Sequence, residues 1–309
     1  MRRTTYPRPR CSGGDSCLTA TGRDQDRRVR LITDSSACLP PHEIESHGIV
    51  IVPAVLVWNG EELRDGVDIT NEAFWKRLAT DPNLPTTSAT SPTAYAAEFA
   101  KARDAGQDVL CATIPRRISA MTEVAEMAAR QFAGPPYVRV IQTGAATMAH
   151  GFPVLMGARA ASAGADLDTV ERTVREAADD SGVVALLGSL EYLARGGRVP
   201  WVVARVADAL PSTPIFGMRH GRIRFRASVG SRARALRALT KHVERAARDA
   251  SYLGVAVHHA AAVDEAHELA EQVRREMAPD DLYVTGFTPV MGAHVGPDLV
   301  GLAYCARSN

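Results

Sequence analysis

The sequence predicts an α/β fold in two parts, and three features carry the prediction. From Val29 to Gly164, short apolar runs alternate with longer helical patterns, the rhythm of parallel strands joined by crossover helices. Beyond Gly182 the rhythm changes, because Thr213 to Met218 and Arg222 to Val229 flank Gly221 as a hairpin would, which implies antiparallel pairing. Turns bearing hydroxyl groups also fall where strands pass into helices, the edge at which open α/β sheets present polar groups.

Each element follows from a local pattern. Val29 to Thr33 is a short apolar strand running into the Asp34-Ser35-Ser36 turn, and Ile49 to Trp58 is a second strand region ended by a turn at Gly60. Thr70 is placed to cap a helix over Asn71 to Leu78, with Phe74 and Leu78 on one face. Ser91 and Pro92 have N-cap and N1 chemistry for a helix through Tyr95, Phe99 and Ala102, so Thr86 to Ser91 is expected as a loop leading into it. Val109 to Thr113 is a strand, and Ser119 opens a helix with Met121, Val124, Ala125 and Ala128 on its apolar side. Tyr137 to Gln142 is the next strand, and an Ala-rich helix then ends near Gly164, so this half reads as a Rossmann-like parallel sheet.

In the second half, a helix from about Leu167 to Ala178 precedes a strand at Val183 to Leu187 and the hairpin. Leu236, Leu239, Val243 and Ala246 mark one amphipathic helix, and Ala266, Leu269, Ala270, Val273 and Met277 another. Gly254 to His258 and Leu282 to Phe287 are strands. The expected division is a disordered Arg-rich extension over 1–28, an N-terminal α/β domain over 29–175, and a C-terminal α/β domain with mixed strands over 176–309.

Composition excludes several classes. Thirty-six basic and 35 acidic residues leave a formal charge of +1, which gives no global attraction to nucleic acid or an anionic surface. Five scattered cysteines lack paired spacing for zinc or redox work, and a reducing cytoplasm fits them. No apolar run reaches the ~18 residues of a membrane-spanning helix, so an integral membrane protein is not expected. Phosphate-cradling loops, G-x-S-x-G and H-E-x-x-H are all missing, so no nucleotide cofactor or metal is expected. His258 and His259 are adjacent on a strand and point to opposite faces, which does not suit one metal ion.

What the sequence does offer is a set of hydrogen-bond donors in turns. Thr87 and Ser88 lie in Pro85 to Pro92, Ser119 follows Ile114-Pro115-Arg116-Arg117, and His294 lies among Gly292, Gly296, Pro297 and Gly301. Hydroxyls and an imidazole suit the head group of an acid. Taken by themselves, the same hydroxyls are better explained as helix caps and turn formers, and Asp34 with Ser35 and Ser36 as an Asx-type turn.

Together with Thr33 to Ser36 and the LEYLARGGRV segment from Leu190 to Val199, these turns resemble the DegV family in sequence order, over about Val29 to Ala306. The resemblance implies two α/β domains with a hydrophobic tunnel between them that holds a long-chain fatty acid. It also implies similarity to the binding subunit of bacterial fatty acid kinase, which presents an acyl chain to a separate ATP-using subunit. By that resemblance the family's T-S-Q-P threonine falls on Thr87, its S-G-T serine on Ser119, and its G-x-H-x-G-P histidine on His294. With Ser88 these are the expected carboxylate contacts.

Some positions depart from the family pattern. Ala89-Thr90 replace Gln-Pro, Gln142-Thr143 replace Asp-Ser, Asp298 stands where glycine is usual, and Ala120 and Met121 are expected to narrow the pocket near the head group. Arg195 and Arg198 are expected either as a partner-facing basic patch or as a solvated loop paired with acids such as Glu191. The expected function is a non-catalytic fatty-acid carrier in the cytoplasm, with a fatty acid kinase subunit as partner. The alternative is a hydrolase or transferase using Ser119 and His294, which lacks an evident third residue and a nucleophile elbow.

Overall fold

The computed structural model describes residues 27–202, 205 and 213–308, so the extension expected over 1–28 lies outside the described residues except for Arg27 and Arg28. Three sheets organise the described residues. The first is parallel, in the order β2-β1-β6-β7, from β1 (Val29–Asp34), β2 (Val50–Val52), β6 (Asp108–Thr113) and β7 (Val138–Gln142). Every residue of β6 is buried, as expected of a central strand covered on both faces. α3 (Pro92–Asp104) and α4 (Met121–Ala129) cover one face, where their buried Tyr95, Phe99, Met121 and Ala125 belong to one core with Val109 and Cys111, and Leu167, Val170 and Val174 pack with Leu110 and Ala112 on the other.

The strand region expected from Ile49 to Trp58 is in fact two strands in different sheets. Pro53 supplies no N–H for a ladder, and pairing passes from β2 to β3 (Val55–Trp58). β3 is the centre of a small antiparallel sheet between β4 (Glu61–Arg64) and β5 (Thr86–Ser88). Thr86 to Ser88 is therefore a strand, not the loop the sequence implied, because Leu56 pairs with Thr87 in that ladder.

The third sheet is mixed, in the order β10-β9-β8-β13-β11-β12. It uses β8 (Ser181–Leu186), β9 (Thr213–Arg219), β10 (Arg222–Val229), β11 (Tyr252–His259), β12 (Asp281–Gly286) and β13 (Val300–Arg307). The expected hairpin is β9 and β10, and only β11 and β12 run parallel. β13 was not anticipated, because its run VGLAYCAR lacks the alternation of a half-buried strand. It lies in the middle of the sheet between β8 and β11, with six consecutive residues buried.

Helix α5 (Met148–Ser162) packs against β1 on one side and β8 and β13 on the other, which joins the two large sheets. Its glycines permit close packing on neighbouring segments: a Cβ on Gly151 would lie 2.7 Å from Ala37 O in the turn after β1, and one on Gly157 2.4 Å from Val174 Cγ2 of the following helix. The next helix, α6 (Leu167–Asp179), runs through residue 175, so the expected domain boundary falls inside it, and the mixed sheet starts at Ser181.

Candidate functional site

The strand order of the parallel sheet reverses between β1 and β6, and such a reversal opens a crevice at the carboxyl ends of the strands. A cavity of about 470 Å³ lies there, touched by Asp34 at the end of β1, Ser36 just after it and Ile114 after β6. Its opposite wall comes from the mixed sheet and its loops, through residues such as Ala185, Phe216, Met218 and Phe287. Thr87, Ser88, Ser119 and His294, distant in sequence, all line this one space.

Thr87 is the middle residue of β5, and His294 sits near the end of α10 (Pro289–Val295). Thr87 Oγ1 and His294 Nε2 share a hydrogen bond of 2.8 Å, with the proton on whichever partner the imidazole tautomer dictates. The glycine-rich segment is thus a short helix around the histidine rather than the loop expected, and its glycines serve close approach. A Cβ on Gly292 would stand 2.5 Å from Phe74 Cε1 of α2 (Asn71–Leu78), and one on Gly296, at φ 68°, 2.4 Å from the Tyr192 ring. Gly196, just after α7 (Glu191–Arg195), would put a Cβ 2.7 Å from His294 Nδ1.

Arg198 is half-buried and reaches the Ser119 turn. Its Nε and Nη2 donate to Ile118 O at 3.2 and 2.9 Å, and Nη1 donates to Gly196 O. This ties the α7 turn to the Ser119 turn and brings a guanidinium to the cavity wall. Burial, reinforced by that positive charge, holds the His294 imidazole down at about 4, so it is neutral near pH 7. Arg195 pairs with Glu191 at 2.6 Å, both side chains about half exposed.

Ser119 precedes α4, whose N-cap is Ala120. Its Oγ accepts a long bond from Met121 N–H at 3.4 Å, so it leaves a hydroxyl proton free to donate. Ala120 and Met121 both line the cavity beside it. Ser88 Oγ donates to Ala89 O at 3.1 Å.

Asp34 is the largest polar feature of the wall that the sequence reading left as a turn, and the Asx turn is what forms. Oδ1 accepts from Ser36 N–H at 3.1 Å and from the Ser36 hydroxyl, while Oδ2 accepts from Ile114 N–H at 2.8 Å. Asp34 is therefore occupied in closing the carboxyl end of the sheet. Among the described residues, no group of three or more His, Cys, Asp or Glu could hold a metal ion. His258 Nε2 accepts from Met148 N–H at 3.0 Å, which leaves Nδ1 to donate to Thr285 Oγ1 at 2.8 Å. It is a core residue.

Sequence reasoning missed the apolar lining contributed by Ala54, Val183, Met218 and Met291. Nothing but the spatial meeting of the sheets marks these residues out from ordinary core.

The family model described as "Uncharacterised protein, DegV family" matches residues 28–307. The chain belongs to the DegV family. A DegV domain-containing protein of Clostridium perfringens is 31% identical over 286 residues, covering 91% of this chain and 99% of the relative. Among solved structures, a DegV family protein from Thermus thermophilus, described as binding fatty acid, superposes with a TM-score of 0.84 at 25% identity, covering 91% of this chain and 100% of that one. DegV of Bacillus subtilis, described as a fatty acid binding protein, shares the fold with a TM-score of 0.82 at 21% identity, covering 91% and 100%. In this DegV chain, no helix among the described residues is long and apolar enough to cross a membrane.

Proposed function

We propose that this protein binds one long-chain fatty acid, with the acyl chain in the cavity between the two large sheets and the carboxylate at Thr87, Ser119 and His294, Ser88 lying alongside. The observation that carries this reading is an apolar cavity of about 470 Å³ where the Thr87–His294 hydrogen bond, the Ser119 hydroxyl and the Arg198 guanidinium are gathered. That volume lies within the range of sites that enclose a small-molecule ligand. Each buried methylene contributes ~0.8 kcal/mol, so a long chain supplies ample affinity even after ordering costs. A carboxylate beside Arg198 gains Coulomb attraction, and the hydroxyls of Ser119 and of Thr87, the latter oriented by His294 Nε2, replace the water it gives up.

The reading extends to a carrier that presents the acid to a separate ATP-using fatty acid kinase subunit and performs no chemistry alone. The geometry supports this over the Ser119–His294 enzyme. His294 Nε2 engages Thr87, and its Nδ1 edge is closed off by Gly196. Burial, and after it the neighbouring Arg198, makes the imidazole a weak base where a catalytic triad would place an orienting carboxylate. Native mass spectrometry of the purified protein, followed by lipid extraction, tests binding. One fatty acid per chain is expected, and delipidated protein that shows no thermal shift with any acid of about twelve to twenty carbons would overturn the reading. Ester turnover by the protein alone that Ser119→Ala abolishes would instead establish the enzyme.

A further inference from the structure

Asp65 lies in the turn between β4 and α2 and is only 3% exposed, although no contact to the cavity explains a charge there. Its N–H donates to Ala54 O at 2.9 Å, and its Oδ1 accepts from Val290 N–H at 3.2 Å. Val290 is the second residue of α10, the helix that carries His294. The first N–H groups of a helix have no partner within it. Here the N-cap residue Thr288 makes no side-chain capping bond, and Asp65 supplies an acceptor from 225 positions away. Burial raises the pKa of the Asp65 carboxyl, and the nearby Ser35 and Thr288 hydroxyls and the Val290 N–H offset part of that rise, although Asp65 Oδ2 and Thr288 Oγ1 are not in hydrogen-bond geometry with each other.

The other end of Asp65 leads to Thr87. Asp65 directly follows β4, which pairs with β3, and β3 holds Thr87 through the Leu56–Thr87 register. Ala54, bound by the Asp65 N–H, also donates to Ser35 Oγ at 3.2 Å and lines the cavity. One residue thus links the small sheet bearing Thr87 to the helix bearing His294.

We propose that Asp65 is a positioning residue of the head site: by accepting the Val290 N–H it fixes α10 so that His294 meets Thr87. The ligand consequences of this proposal rest on the fatty-acid reading, and its structural consequences do not. Asp65→Asn keeps an oxygen acceptor of the same reach, and Asp65→Ala removes it. In delipidated protein followed by NMR, the His294 imidazole should titrate near 4 in the parent, and at the same midpoint in Asp65→Asn. In Asp65→Ala its midpoint moves toward the ordinary value of about 6.5 as the ring leaves its buried contact.

Palmitate affinity should fall about tenfold or more in Asp65→Ala and stay within about threefold of the parent in Asp65→Asn, the spread of one lost donor. Hexadecanol has the same chain without the carboxylate, and its affinity should change less than about threefold in both variants, since apolar burial is untouched. An unchanged His294 midpoint together with an unchanged palmitate-to-hexadecanol preference in Asp65→Ala overturns the proposal. Should that variant not fold, amide exchange in the parent decides: slow exchange at Val290 supports the proposal, and exchange as fast as an uncapped helix start overturns it. If the parent binds neither palmitate nor hexadecanol, the fatty-acid reading falls, while the titration and exchange results still judge Asp65.

Discussion

At the scale of single residues, the site is a small number of donors set in an apolar wall, and their substitution should separate binding from folding. In the proposed site Thr87→Val and Ser119→Ala each remove one donor to the carboxylate, so each should weaken acid binding by about 1–3 kcal/mol, read by calorimetry with palmitate. Both variants should keep the parent's circular dichroism. If both bind as tightly as the parent, the carboxylate lies elsewhere. His294→Ala removes the partner of Thr87 and should weaken binding at least as much. With a cognate ATP-using subunit supplied, it should also lower acyl-phosphate formation.

The buried histidines predict an acid-sensitive fold. Burial lowers the pKa of His150, holds His258 at about 3 and, with Arg198, holds His294 at about 4. The unfolded chain takes up these protons at about 6.5, so between that value and about 4 it binds more protons than the folded state, and stability falls as the pH falls. The thermal midpoint of the delipidated protein should therefore drop from pH 7 to pH 4.5. His294→Gln should flatten part of that drop, and a slope identical to the parent's would show that His294 titrates normally.

At the scale of elements, the short helix α10 depends on what it touches rather than on its own length. Seven residues make a marginal helix in isolation. It is held by Phe74 and Trp75 of α2 against Gly292, by Tyr192 against Gly296, and by Asp65 at its start. Gly292→Ala places a Cβ 2.5 Å from Phe74 Cε1, so the helix or the ring must move. A loss of about 1–3 kcal/mol of stability is expected from such overpacking, measured by urea unfolding, with weaker palmitate binding because His294 moves too. Unchanged stability would mean that α2 yields without cost.

Elements were also where reading by pattern failed, each time for a physical reason. Ile49 to Trp58 looked continuous because both strands are apolar, and Pro53 marked the break only once two sheets competed for it. β13 carries no period-2 signal because both of its faces are covered. Thr86 to Ser88 reads as a hydroxyl-rich turn, and only the ladder with β3 makes it a strand.

At the scale of the whole molecule, the cavity exists because two sheets share α5 and meet at the carboxyl ends of β1 and β6. A ligand that contacts both sheets should stabilise the fold as a unit: palmitate at about a hundred times its dissociation constant should add about 2.7 kcal/mol. Calorimetry should show one sharper transition at a higher temperature, and two separate transitions with only one shifted would place the ligand within a single domain.

The sequence alone determined the α/β class, the parallel sheet of the first half and the hairpin of the second half, because periodicity and turn chemistry are local properties written in neighbouring residues, whereas Thr87, Ser119 and His294 were singled out by the resemblance to DegV. Tertiary structure decided everything that depends on two distant segments meeting. It turned the glycines around His294 from loop formers into contact points, aimed Arg198 inward at Ile118, and paired Thr87 with a histidine 207 residues away. Apolar residues such as Ala54 and Met218 look the same in sequence whether they fill a core or line a cavity. Which of the two they do is set by the space left between packed sheets, and no single segment encodes that space.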